Sequence, residues 1–252
     1  MRAFVSFLAF FGIVVVAVTP AYAIQYRFDD TSTIPGSAVT AASQAIFDID
    51  TSTLLMSITL NNNAATGAGN TTLLTGIVFN TGSALQNVAS TTPSALAPQS
   101  WNGSVFTSNV DYTNTWIYVK STTPGASLVV GTSTFQYGMS TTNAGTMFAQ
   151  SLFPGGSSGA DDYGIVGSVA CATTASCTSN DGNKYPEAVG QIVFSGIQLT
   201  AAFAITAVTF LYTSSGASAG GTAVVVNAPE PISLALFAPA LIGLAAVRRR
   251  RR

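Results

Sequence analysis

Between positions 24 and 227 the residues able to do chemistry are few, and most are carboxylates. Asp29, Asp30, Asp48, Asp50, Asp111, Asp161, Asp162, Asp181 and Glu187 stand against only three cations, Arg27, Lys120 and Lys184. No histidine occurs anywhere in the 252 residues, which removes every Ser-His and Cys-His nucleophile arrangement. Glycoside hydrolysis needs two carboxyl groups about 5–10 Å apart across a cleft. Asp161 and Asp162 are adjacent, and on a strand neighbouring side chains point to opposite faces. Glu187 is the one glutamate of this region, and the sequence identifies no second carboxylate to work with it. A Ser–Lys pair built on Lys120 or Lys184 has nothing to position it. The acids read as solvated turn residues, so the chain is expected not to be an enzyme and no catalytic residue is assigned.

Two other chemistries remain. Asp48-Ile49-Asp50 places alternating carboxylates on one side of a strand, and Asn180-Asp181-Gly182-Asn183 gathers oxygen ligands around a tight turn. Both suggest calcium, but neither has the full ligand series of a calcium loop. The simpler readings are the outer face of a half-buried strand and a hairpin turn centred on Asp-Gly. The expectation is no cofactor and no metal site, with calcium as the minority alternative. Trp101, Tyr112, Trp116 and Tyr118 suggest a carbohydrate platform, since alternation puts Trp116 and Tyr118 on one strand face. Two exposed rings there would favour a lectin; burial would favour a structural role. Asn70-Thr71-Thr72 and Asn102-Gly103-Ser104 have the form of glycosylation sequons only.

The elements that would position these residues read as strands. Candidates are residues 44–50, 53–60, 73–79, 104–107, 115–120, 127–130, 164–169, 189–199, 204–212 and 222–226, rich in β-branched and apolar residues and bounded by Gly, Asn, Ser and Pro. Residues 61–70 read as a loop or wide hairpin connection. The segment 189–199 is expected to bend or bulge at Ser195-Gly196. One short helix around 145–152 is the exception, because long stretches of period 3.6 are missing. The pattern predicts an all-β fold, a single β-sandwich or jelly-roll-like domain over residues 24–227. Its three basic and nine acidic residues give it a net charge of −6, a value hidden in the whole-chain −1 by a terminal arginine block. With no basic cluster, nucleic acid is excluded as a partner.

Both ends look like addresses rather than fold. Met1-Arg2 begins a short basic region, residues 3–18 are apolar, and Ala21-Tyr22-Ala23 supplies a small-x-small cleavage pattern. Residues 1–23 therefore read as a signal peptide for the Sec export machinery, with the mature chain starting at Ile24. At the other end Pro229-Glu230-Pro231 precedes an apolar run, residues 232–247, and then Arg248, Arg249, Arg250, Arg251 and Arg252. Sixteen residues of helix reach about 24 Å, short of a hydrocarbon core of about 30 Å, but snorkelling arginines extend the span. Pro239 weakens the middle of that helix. The arginines act as a cytoplasmic stop, leaving the rest of the chain outside. Cys171 and Cys177, the only cysteines, then lie in an oxidising compartment and are expected to form a disulfide. The loop they close is short, which predicts a local staple whose replacement by serine leaves the fold intact. Two cysteines without histidine do not make a structural zinc site.

The tail closely resembles the PEP-CTERM sorting signal, in which the same three parts occur in the same order. The resemblance covers about residues 228–252. It implies handling by an exosortase, a membrane cysteine protease of Gram-negative bacteria that make exopolysaccharide. Pro229, Glu230 and Pro231 would be the substrate motif and the helix a membrane intermediate. More loosely, residues 45–48, 55–60, 73–79, 162–166, 193–196 and 208–212 resemble small exosortase-dependent surface proteins of unassigned activity. The combined expectation is an exported structural protein of the cell surface or extracellular matrix, reached through an inner-membrane intermediate and associated with exopolysaccharide. A polysaccharide-binding module is the first alternative and a carboxylate-dependent matrix hydrolase the second.

Overall fold

Alternating apolar and polar residues force the chain into strands with one dry and one wet face. The computed structural model describes residues 23–33, 40–64, 73–82, 93–120, 128–130, 133–141, 164–169, 171–173, 177, 187–212, 216–219 and 224–227. They form sixteen strands: β1 (Ala23–Asp30), β2 (Ser43–Asp50), β3 (Leu55–Asn62), β4 (Leu74–Thr81), β5 (Ser94–Trp101), β6 (Phe106–Asp111), β7 (Trp116–Lys120), β8 (Leu128–Val130), β9 (Ser133–Phe135), β10 (Tyr137–Thr141), β11 (Ile165–Val166), β12 (Glu187–Val189), β13 (Gln191–Gln198), β14 (Ile205–Tyr212), β15 (Gly216–Ala219) and β16 (Val224–Asn227). The fold is all-β, as the sequence predicts, and no helix occurs among the described residues. The helix expected around 145–152 lies outside them.

Pairing organises the strands into two antiparallel runs. One runs β16-β1-β2-β3-β13-β5-β6; the other runs β15-β14-β4-β10-β7. The two-residue β11 joins them, pairing antiparallel with β4 at Ile165 opposite Leu74 and parallel with β12, which pairs with β5. Through this link the runs count as one 14-stranded, mostly antiparallel sheet, while β8 and β9 make a separate hairpin. Asn62 fixes the junction: its Nδ2 donates to the Ile165 carbonyl at 2.7 Å and its Oδ1 accepts the Ala64 N–H at 3.1 Å.

The inner faces of the two runs meet in the main core. Phe47 of β2 packs edge-on against Phe79 of β4 with ring centroids 5.1 Å apart, and Trp116 of β7 meets Phe194 of β13 at 5.1 Å. Asp30 is buried where β1 faces β14. Its Oδ2 accepts the Tyr212 hydroxyl at 2.8 Å, and its Oδ1 accepts the Ser32 N–H at 3.0 Å and hydroxyl at 2.6 Å. Burial pushes the Tyr212 phenol well above its usual range, and the Asp30 carboxylate adds to the rise. That buried carboxylate is a structural tie rather than a solvated turn residue.

Local chemistry sets the turns. Asp50 ends β2 by accepting the Ser52 N–H at 2.8 Å, the Ser52 hydroxyl at 2.6 Å and the Thr53 N–H at 3.2 Å. Asp111 accepts the Thr113 N–H at 2.8 Å after β6. The bend expected at Ser195-Gly196 is present: the β13–β3 register slips between Phe194 and Ile197, and Gly196 has a φ of +80°. Gly190, with a φ of +73°, turns β12 into β13 and divides what the sequence reads as one strand. Strands β1, β5, β9, β10 and β15 are additions to the expected set, and β12 overlaps it only at Val189.

Candidate functional site: an outer sheet face and the paired chain ends

The outer face of β1, β2, β3 and β13 carries three rows of side chains, set by register. In the first, Asp29 lies opposite Gln44, Gln44 opposite Asn61, and Asn61 opposite Gln191. Their side chains form one head-to-tail chain. Gln191 Nε2 donates to Asn61 Oδ1 at 2.8 Å, Asn61 Nδ2 to Gln44 Oε1 at 3.1 Å, and Gln44 Nε2 to Asp29 Oδ1 at 2.7 Å. Arg27 Nε closes the chain on the Asp29 carboxylate, at 3.0 Å from both oxygens. Partial burial pushes the Asp29 carboxyl up, but the hydrogen bonds from Gln44 and Arg27 and the Arg27 charge together hold it below its usual range.

Two residues along each strand, the next row is largely aliphatic and continues onto the neighbouring β5: Arg27, Ile46, Thr59 and Val193, then Leu96 of β5. Leu96 is 49 % exposed, one of few large apolar side chains so open among the described residues. Beyond it Gln25 faces Asp48, with Gln25 Nε2 donating to Asp48 Oδ1 at 2.6 Å, and Asp48 faces Ser57. The face is thus an aliphatic stripe between two hydrogen-bonded polar rows. The sequence reading singled out none of the amides of these rows. Their signal is Gln and Asn at outward positions of alternating strands, and it becomes a row only when register is known.

The first and last described strands pair at one edge of this face. β1 is paired on one side with β2, from Ala23 opposite Asp50, and on the other with β16, from Ile24 opposite Asn227 to Arg27 opposite Val224. Ala23, the last residue of the expected signal peptide, is the exposed first residue of β1. Asn227 precedes Pro229 by two residues. Ala21, the sorting residues Pro229, Glu230 and Pro231, and the arginines Arg248 to Arg252 lie outside the described residues. Among the described residues no helix is long and apolar enough to cross a membrane; residues 232–247 are not among them.

The remaining candidates resolve differently. Asp48 and Asp50 do share the outer side of β2, but Asp50 is committed to its turn, whose hydrogen bonds from Ser52 and Thr53 hold its carboxyl down at about 2. No group of three or more potential acidic, cysteine or histidine metal ligands occurs among the described residues. The aromatic platform is corrected: Trp101, Tyr112 and Trp116 are buried, and Tyr118 packs against the core beside Tyr137. Trp101, Trp116 and Tyr118 sit on strands whose inner side is dry there, and Tyr112, in the turn after β6, is tied inward by its hydroxyl at 2.6 Å from Ser100 Oγ. Glu187 is buried in β12. Asp161, Asp162, Asp181, Lys184 and both the Asn70 sequon and the Asn180–Asn183 turn lie outside the described residues.

Cys171 and Cys177 form the expected disulfide. The staple is local, as expected, and it is buried. Both half-cystines are buried, in a small second core with Leu73, Trp101, Val166 and Val189. Those neighbours come from β5, β11, β12 and the residue just before β4, which spacing along the chain does not reveal. Searches against protein-family models, curated proteins and solved structures find no match for this chain.

Proposed function

We propose that this chain is an exported, exosortase-processed structural protein of the cell surface or extracellular matrix, its 24–227 domain being a β-sandwich scaffold associated with exopolysaccharide. The observation that carries the reading is the order of the tail, Pro229-Glu230-Pro231, the apolar run 232–247 and Arg248 to Arg252; the antiparallel pairing of β1 with β16, Ile24 opposite Asn227, is compatible with it. This pairing sets Ile24, the proposed mature start, beside Asn227, two residues before Pro229 in the chain. The buried disulfide agrees with an oxidising compartment, and the tail order Pro-Glu-Pro, apolar run, arginines supplies the sorting logic.

The test separates the tail's two halves. Replacing Pro229, Glu230 and Pro231 with alanine leaves insertion intact and blocks cleavage, so a heavier form collects in the inner membrane. Neutralising Arg248 to Arg252 weakens membrane retention before processing. Equal masses for wild type and the alanine variant, in cells that contain an exosortase, would overturn the reading. The polysaccharide-binding alternative is favoured by a separate observation, the outer sheet face. No observation favours the matrix hydrolase.

A further inference from the structure

We infer that the outer face of β1, β2, β3 and β13 is a binding site for a neutral polysaccharide chain lying across the strands along the aliphatic stripe. The site deepens the exopolysaccharide reading above but stands on different residues and on binding alone.

Three features carry it. First, the amide row is preorganised. Gln44 and Asn61 are each fixed by two neighbours in the head-to-tail chain, so little side-chain entropy remains to be lost on binding. Second, the row keeps capacity. A primary amide has two N–H donors and two acceptor lone pairs; Gln44 and Asn61 spend one donor and one acceptor position each along the row. Strands about 4.8 Å apart offer these groups at nearly the repeat of one sugar ring. Third, Ile46, Thr59, Val193 and Leu96 give a flat apolar track for the C–H face of a sugar, with the Asp29–Gln191 row on one side and Gln25–Asp48 on the other.

Charge selects the occupant. A domain of net charge −6 repels an acidic polymer. The Asp29 carboxylate is already held by Arg27 and Gln44, so the amide row itself presents no unpaired charge. A second copy of the chain is a poorer fit, because the cores of protein interfaces are depleted in charged residues and docking would bury the Arg27–Asp29 pair.

The test is affinity electrophoresis of the purified full chain in gels containing hydroxyethyl cellulose or alginate. Retardation by hydroxyethyl cellulose and not by alginate is expected. The double variant Gln44→Ala with Asn61→Ala should weaken it at least tenfold without loss of cooperative unfolding. Leu96→Ala removes an exposed side chain, so it tests the stripe without threatening the fold, and should weaken retardation two- to threefold. No retardation in hydroxyethyl cellulose overturns the site, as does retardation that both variants leave unchanged. A wild-type dimer in sedimentation that Leu96→Ala converts to monomer would assign the face to self-association instead. None of these readouts depends on processing, so the site and the sorting hypothesis can fail separately.

Discussion

The inner and outer faces of the same four strands, β1, β2, β3 and β13, obey different rules. Inside, Phe28, Phe47, Ile58 and Phe194 are fully buried, with Phe47 packed on Phe79 of β4 and Phe194 on Trp116 of β7. Outside, three residues away along the same strands, Gln44, Asn61 and Gln191 bond to each other and, through Gln44, to Asp29. The inner face works by excluded water and volume. The outer face works by direction, since each amide fixes the next. The contrast assigns stability to one face and recognition to the other, although both come from one period-two pattern.

The largest effect should come from the inside. Phe47→Ala removes a ring that contacts both Phe28 and Phe79 and should cost about 3–5 kcal/mol in urea unfolding. A loss under about 1 kcal/mol would break the division of labour. Replacing Cys171 and Cys177 with serine should cost about 3 kcal/mol, from the lost loop constraint and two hydroxyls left in an apolar core. Alanine at both positions should be milder. This revises the expectation of a dispensable staple, because both sulfurs are buried beside Trp101. Tyr212→Phe leaves Asp30 Oδ2 without its phenol donor and should cost about 1–3 kcal/mol.

Outer substitutions should barely move stability. Asn61→Ala should cost under about 1 kcal/mol, the scale of a cross-strand pair, while reducing polysaccharide retention. A larger stability loss with unchanged retention would make the row purely structural. The smallest effect is set by pH. Asp29, Asp50 and Asp111 all have carboxyls lowered by folding, Asp50 to about 2. Their contribution is complete above the unfolded carboxylate value of about 3.9 and is lost as pH falls toward the folded values. Unfolding midpoints should therefore decline between about pH 4 and pH 2, and Asp50→Asn should flatten that decline.

Much of the strand pattern is legible along the chain, because burial imposes alternation on residues such as Ala45, Phe47 and Ile49. The bulge is legible too, since Ser195-Gly196 interrupts an apolar run where a positive φ is needed. β5 is not, because Pro98 and Gln99 break its alternation, and its place comes from pairing with β13 and β6. The inward direction of Trp101 and Trp116 is also hidden, as an aromatic in a strand suits either face until the opposing layer is known. The amide rows depend on register between strands distant in sequence, Asn61 and Gln191 being 130 residues apart. The disulfide pairing is trivial to read, but its burial is not.

The most direct test of the account is the mass of the protein's two ends, read by mass spectrometry on material recovered from the cell surface or matrix of cells that carry an exosortase. The account predicts a chain that begins at Ile24 and ends near Pro229-Glu230-Pro231, without Arg248 to Arg252, and with Cys171 joined to Cys177. A chain that still begins at Met1, or that runs intact to Arg252, would contradict it.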